Sequence, residues 1–325
     1  MNNSKLYVSS SPHIRTEEDF QKIIIAVLSA LVPACVMGVY FFGLQAALVL
    51  TVSTVSAMAA EIGFNKIMGK PVRWFAGWAA ISGLLLGMTL PPTVPWWMPI
   101  IGAFVAIIVA KQIYGGLGQN LFNPALVGRI VLLLSFPVQM TTWIRPSLLL
   151  SGATDAVTTA SPLGLLKVDG VAKIANISYW DCLLGNIPGS IGEVAKIALL
   201  IGGIYLIWKG YITWHIPVSF IGTVGVMSTI FWLLNPTQYA HPLYHLLTGG
   251  LFLGAFFMAT DYVTSPVTHK GMIIFGIGCG ILTTLIRVLG VYPEGVAFSI
   301  LLMNAACPLI DRYIKPTPFG AGKAR

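Results

Sequence analysis

The sequence predicts an all-α polytopic membrane protein: about ten transmembrane helices, arranged as two inverted five-helix repeats with one long extracytoplasmic loop. Three observations predict it. Of 325 residues, 56% are hydrophobic and 9% charged, against about 25% charged in a soluble domain, which leaves too little polar surface to coat a water-soluble globule. Apolar stretches follow one another from residue 23 to residue 310 with no polar interval long enough for a separate fold, so 1–325 reads as a single membrane domain. The two halves of the chain also share a Gly/Pro pattern.

A hydrocarbon core of roughly 30 Å takes about 20 apolar residues per helix. Ahead of the first span, Glu17, Glu18 and Asp19 mark a short cytoplasmic arm rather than a cleaved leader. The spans then fall at 23–42, 45–64, 74–90, 95–113 and 124–140, forming the first repeat (23–140). Gly83 to Pro92 and Asn120 to Pro124 interrupt this half. After the loop 141–192, the second repeat (193–310) has spans at 193–208, 212–234, 243–260, 271–289 and 293–310. Gly83-Leu84-Leu85-Leu86-Gly87 returns as Gly250-Leu251-Phe252-Leu253-Gly254, 167 residues on, and Pro124 and Pro293 are 169 apart. Five spans per copy is an odd number, so successive copies run in opposite senses across the membrane.

With the N-terminus in the cytoplasm, 13 Lys and Arg residues, Lys66, Lys111 and Lys270 among them, fall in inner loops and tails. Three, Arg145, Lys167 and Lys173, fall outside. That asymmetry sets both termini inside and the loop 141–192 outside. The net charge of +8 comes from single residues beside span ends; no basic stripe suits nucleic acid, and the surroundings are membrane lipid. Cys35, Cys182, Cys279 and Cys307 form no CxxC, and His241 and His245, four apart, have no third ligand near, so neither an iron–sulfur cluster nor another metal site is expected on this chain alone.

The outer loop contains Ser151-Gly152-Ala153-Thr154-Asp155-Ala156-Val157-Thr158-Thr159-Ala160-Ser161-Pro162-Leu163. By composition it is a turn-rich connector in which Asp155 and Thr158 bond local backbone. Its pattern also resembles the flavinylation motif Asp-x-x-(Ser/Thr)-x-Ala-(Ser/Thr), whose last hydroxyl becomes phosphoester-linked to FMN. Asp155, Thr158, Ala160 and Ser161 take those places, followed by Pro162. The resemblance implies Ser161 as first acceptor. Thr154, with Leu148 rather than an acid six residues before it, is the second.

Further strings carry a wider resemblance: Ser11-Pro12-His13-Ile14-Arg15, Asn120 to Leu126, Gly189 to Glu193, Ala259 to Thr268, Tyr292 to Gly295 and Met303-Asn304. With the loop motif they make the chain, over nearly its whole length, resemble the RnfD family of the Rnf electron-transport complex and, more distantly, the NqrB family of the sodium-pumping NADH:quinone reductase. The resemblance implies an inverted repeat of the urea and ammonium transporter type, a covalent FMN on the outer side, and a noncovalent riboflavin or second flavin between helices. It implies the other Rnf subunits and a flavin transferase as partners, in a bacterial or archaeal cytoplasmic membrane. The implied activity links electron transfer between reduced ferredoxin and NAD to Na+ or H+ movement, with no complete active site or catalytic acid–base set on this chain alone. A solute channel of the same shape is the other reading.

Charge at a helix centre costs about 2.5–3.5 kcal/mol, so each such residue asks for a reason. Asp261, Glu61 and Glu193 are ion-pathway candidates. Asp261 reads either as a hydrated helix end or as a group facing a cavity, and Glu193 suits a cap at the positive end of the sixth span. Arg129, with Asn120 and Asn123, is a candidate for the second flavin, its guanidinium offering a bidentate contact; equally, it bonds carbonyls of a broken helix.

Overall fold

The computed structural model describes residues 20–70, 77–146, 158–174, 177–194 and 196–316. The string Ser11 to Arg15 and two motif residues, Thr154 and Asp155, lie outside the described residues.

Helices follow the apolar stretches closely. The first half comprises α1 (Phe20–Phe42), α2 (Leu44–Ile67), α3 (Gly77–Thr89), α4 (Trp97–Phe104), which continues as a π-helix over Val105–Gln112, and α5 (Pro124–Ser135). The second comprises α10 (Lys196–Trp208), α11 (His215–Leu234), the broken pair α12 (Pro242–Leu247) and α13 (Leu251–Leu253), then α14 (His269–Val288) and α15 (Val296–Tyr313). A π-helical turn, Gly254–Met258, extends α13. Among the described residues five helices, α1, α2, α11, α14 and α15, are long and apolar enough to cross a membrane. Gly77–Thr89, Trp97–Gln112, Pro124–Ser135 and Lys196–Trp208 are shorter apolar helices.

Local chemistry sets the breaks. The stretch expected at 124–140 stops at Ser135 because Pro137 can neither donate an amide proton nor fit the preceding turn, and it resumes as the short α6 (Pro137–Thr141). The stretch expected at 243–260 is split at Thr248-Gly249-Gly250, with Gly249 at φ +76°. Polar-residue-then-proline pairs start helices: Asn123 caps α5 with Pro124 in its first turn, and His241 does the same for α12 with Pro242.

Within the loop 141–192, the described residues 141–146, 158–174 and 177–192 carry secondary structure of their own. They add a two-residue antiparallel pairing to the all-helical expectation, β1 (Trp143–Ile144) with β2 (Thr158–Thr159), in which Trp143 faces Thr159. Three short helices follow, α7 (Pro162–Asp169), α8 (Val171–Ile174) and α9 (Tyr179–Leu184). Leu163 and Ile174 pack beneath them on Ala240 and Tyr244.

In the bundle, α2 packs on α3 and α4 while α11 packs on α12 and α14; α5 joins α4 as α15 joins α14, and α1 lies against α10. The core runs through Leu31, Leu86, Met98, Leu126, Phe220 and Phe275, all buried, while Leu44, Val55, Val226 and Leu302 point outward. Lipid is as apolar as leucine, so close backbone approach rather than water exclusion holds such helices together. A Cβ on Gly83 would lie 2.6 Å from the Ser53 carbonyl oxygen on α2, and one on Gly280 would lie 2.5 Å from the Thr223 Cβ on α11. The irregular stretch before α10 is satisfied inside the protein, as irregular backbone at membrane depth must be: Ile191 N donates to the Leu90 carbonyl (3.2 Å) and Gly192 N to that of Met88 (2.7 Å).

Candidate functional site

Two polar sites flank α5. Pro124 at its start lines one cavity and Leu133 near its end lines the other.

The second is built around Ser161. This residue is extended at φ −62° and ψ 155° and caps α7, its Oγ accepting from Gly164 N at 3.1 Å, with Pro162 in the first turn. It is buried, at 8% exposure. A cavity of about 140 Å³ opens beside it, lined by Arg129, Met140, Trp143, Ala160, Glu294 and Phe298 among others. Arg129 and Glu294 are ion-paired, and the Glu294 Oε1 also accepts from Gly250 N (2.8 Å). Thr158 stands opposite Ile144 in β2.

Behind this cavity the break between α12 and α13 is closed by Arg287, which donates to the carbonyls of Glu294 (3.0 Å), His245 (2.5 Å) and Thr248 (3.2 Å). The carbonyl-bonding role considered for Arg129 thus falls to Arg287, and Arg129 takes a carboxylate. Lys167 on α7 performs the same service at the end of α14, donating to the carbonyls of Ile286, Arg287 and Tyr292 at 3.1–3.4 Å. Burial holds its ammonium below the usual lysine range. Glu193 precedes α10; its Oε2 accepts from the backbone N (3.2 Å) and Oγ (3.4 Å) of Ser190, and the Lys196 Nζ donates to the Glu193 carbonyl (3.1 Å).

The first cavity, about 330 Å³, is lined by Asn120, Asn123, Lys111 and Asp261 within an apolar wall of Trp78, Phe256 and Phe257. Asp261 accepts from Thr264 Oγ1 (3.1 Å) and lines this cavity. Lys111, expected in an inner loop, is instead buried in the π-helical stretch, where it meets Glu61 at 3.0 Å while Gln112 donates to the same carboxylate at 3.1 Å. Asn123 Oδ1 accepts from Ala125 N (3.1 Å), and its Nδ2 donates to the Met258 carbonyl (3.1 Å). With its amide oriented to satisfy its neighbours, Asn304 accepts from Asn123 N (3.1 Å) and donates to the Thr264 carbonyl (3.2 Å). Asn120 donates to the Phe122 carbonyl (3.1 Å). Arg129 is therefore parted from Asn120 and Asn123 and joined to Ser161.

His241 caps α12, accepting from Leu243 N (3.3 Å); among the described residues no group of three His, Cys, Asp or Glu side chains is placed to hold a metal. Sequence reasoning missed Glu294, Arg287, Lys196 and Lys111. A charge in or beside an apolar stretch signals that a partner exists, but the partner lies far along the chain: Arg129 and Glu294 are 165 residues apart.

Such a chain is a multi-pass membrane protein with two internal ion pairs among its described residues, one of them lining a cavity with a helix-capping hydroxyl. Residues 7–320 match the model of the NQR2, RnfD, RnfE family, and the chain belongs to that family. Over 319 residues, 96% of each chain, it is 49% identical to a subunit of the proton-translocating ferredoxin:NAD(+) oxidoreductase complex of Clostridium ljungdahlii. It is 43% identical over 325 residues, all of this chain and 98% of the other, to a subunit of the Na(+)-translocating ferredoxin:NAD(+) oxidoreductase complex of Acetobacterium woodii. To a subunit of the ion-translocating oxidoreductase complex of Yersinia pseudotuberculosis it is 39% identical, with 97% of this chain and 98% of the other covered.

Proposed function

We propose that this chain is the RnfD membrane component of an Rnf-type ferredoxin:NAD oxidoreductase complex, that Ser161 bears FMN in phosphodiester linkage, and that electrons pass through it to neighbouring subunits while Na+ or H+ moves. The observation that carries the flavin reading is Ser161 itself: the last hydroxyl of the motif caps a helix beside a cavity that also holds Arg129.

The residues fit a phosphate. A helix N-terminus and an arginine are both anion-binding devices, and 140 Å³ is several times the roughly 30 Å³ a water occupies. In the modification Ser161 Oγ loses its proton and forms the O–P bond as the leaving group departs from the phosphoryl donor. Because Ser161 is buried under α7, the flavin transferase must act before that helix docks or while it is lifted. Once bound, the isoalloxazine supplies one- and two-electron chemistry; the chain contributes the tether, the docking of α7 through Lys167, and exclusion of water by Met140, Trp143 and Phe298. The larger cavity with Asn120 and Asn123 suits the noncovalent riboflavin or second flavin, and Asp261 beside them, with Glu61 and Glu193, the ion path.

Two inverted five-helix repeats, 23–140 and 193–310 about the loop 141–192, are supported by the matched packing of α2 with α3 and α4 and of α11 with α12 and α14. The excess of basic residues in the expected inner loops supports cytoplasmic termini in the cytoplasmic membrane.

The test is a denaturing gel of the chain produced with the flavin transferase. A band at 34.9 kDa that fluoresces under ultraviolet light, survives Thr154→Ala and vanishes in Ser161→Ala is the expected result. A band persisting in both variants, or absent from the wild type, overturns the assignment.

A further inference from the structure

Five ionisable side chains converge where α5, α10, α14 and the start of α15 meet. Arg129, Glu193, Lys196 and Arg287 are 8, 5, 1 and 6% exposed, and the Glu294 side chain is 19% exposed. Glu193 lies within electrostatic reach of Glu294, Lys196 and Arg129, and Arg287 within reach of both carboxylates. Two anions thus face three cations. Among the described residues no other carboxylate enters the cluster: Asp181, on α9, acts on Cys182 but on neither Lys196 nor Glu193. Lys167, nearer the surface, adds positive charge instead of offsetting it.

An unmatched charge in the interior of a membrane protein is costly enough that something ordinarily neutralises it. The cavity that Arg129 and Glu294 line also contains Ser161, and a phosphodiester has one negative charge. We propose that the excess positive charge of this cluster is a counter-charge built for the phosphodiester on Ser161, with Arg129 as the arm nearest the phosphate and Lys196 and Arg287 as the charges behind it. The proposal rests on Ser161 being the flavin acceptor. It makes modification and cluster charge energetically coupled, so that the stabilisation gained on flavin attachment depends on residues that never touch the flavin.

The experiment compares full-length chain in detergent, made with and without the flavin transferase, and reads the difference in melting temperature between the two forms. Wild type is expected to melt higher when modified. In Lys196→Met the excess charge is gone and the increment shrinks; in Glu193→Gln the excess is doubled and it grows. Opposite changes separate a charge effect from lost packing, which would lower both forms alike, and either variant alone decides the matter if the other does not accumulate. Equal increments in wild type and variants overturn the proposal. If intact mass shows no flavin on the wild type, the flavin reading fails by itself. Inorganic phosphate titrated against chloride into the unmodified chain then tests the seat: phosphate-specific stabilisation abolished by Lys196→Met supports it, and no such stabilisation overturns it.

Discussion

Replacing Arg287 by methionine removes the group that closes the break between α12 and α13. Its guanidinium donates to the carbonyls of Glu294, His245 and Thr248 at 3.0, 2.5 and 3.2 Å, the last two in buried hydrogen bonds. These two belong to the end of α12, where no further helical amide is available. A buried acceptor left unpaired costs about 1–3 kcal/mol, so the two together cost about 2–6 kcal/mol. Methionine keeps much of the volume and relieves the desolvation of a cation, which offsets part of that, leaving a net loss of about 1–4 kcal/mol. Denaturant unfolding of the detergent-solubilised chain measures it, and hydrogen exchange should rise first at Gly249 and Gly250. A variant within about 0.5 kcal/mol of wild type, the range of an ordinary surface change, with protection intact at the break, would refute the reasoning.

Lys111→Met leaves the half-buried Glu61 without its cation, with Gln112 still donating to it, and should cost about 1–3 kcal/mol, whereas Lys111→Met with Glu61→Gln should cost less than the single change; a double-mutant cycle by thermal unfolding reads the difference. Lys167→Met removes three carbonyl contacts at the end of α14, and limited proteolysis should then cut faster within 158–174. Gly83→Ala would drive a methyl into the Ser53 carbonyl at 2.6 Å and lower stability by about 1–3 kcal/mol. Ser161→Ala also loses a helix cap, worth about 0.5–2 kcal/mol, so Ser161→Thr, which keeps cap and hydroxyl, should restore both stability and the fluorescent band.

The helices were legible because hydropathy is a local property. Phe20 and Leu44 begin α1 and α2 within three residues of the expected starts, whereas the break at Thr248-Gly249-Gly250 that splits the eighth span was not expected. The motif that ends at Ser161 is local in the same way, a short run of small residues with proline following. The pairings were not. Lys111 looked like a loop cation and is the buried partner of Glu61, 50 residues away. Glu193 accepts from Ser190 and lies within reach of Glu294, 101 residues on, a neighbour its local sequence does not reveal.

From the chain of residues alone come the membrane class and the order of the helices, since each depends on side chains within a few turns of one another. Which cation meets which carboxylate, which arginine closes the broken helix, and that Arg129 belongs with Ser161 rather than with Asn123 were decided only by the folded bundle. Charge pairing in a low-dielectric interior selects partners by distance in space, and that distance is set by how the helices pack.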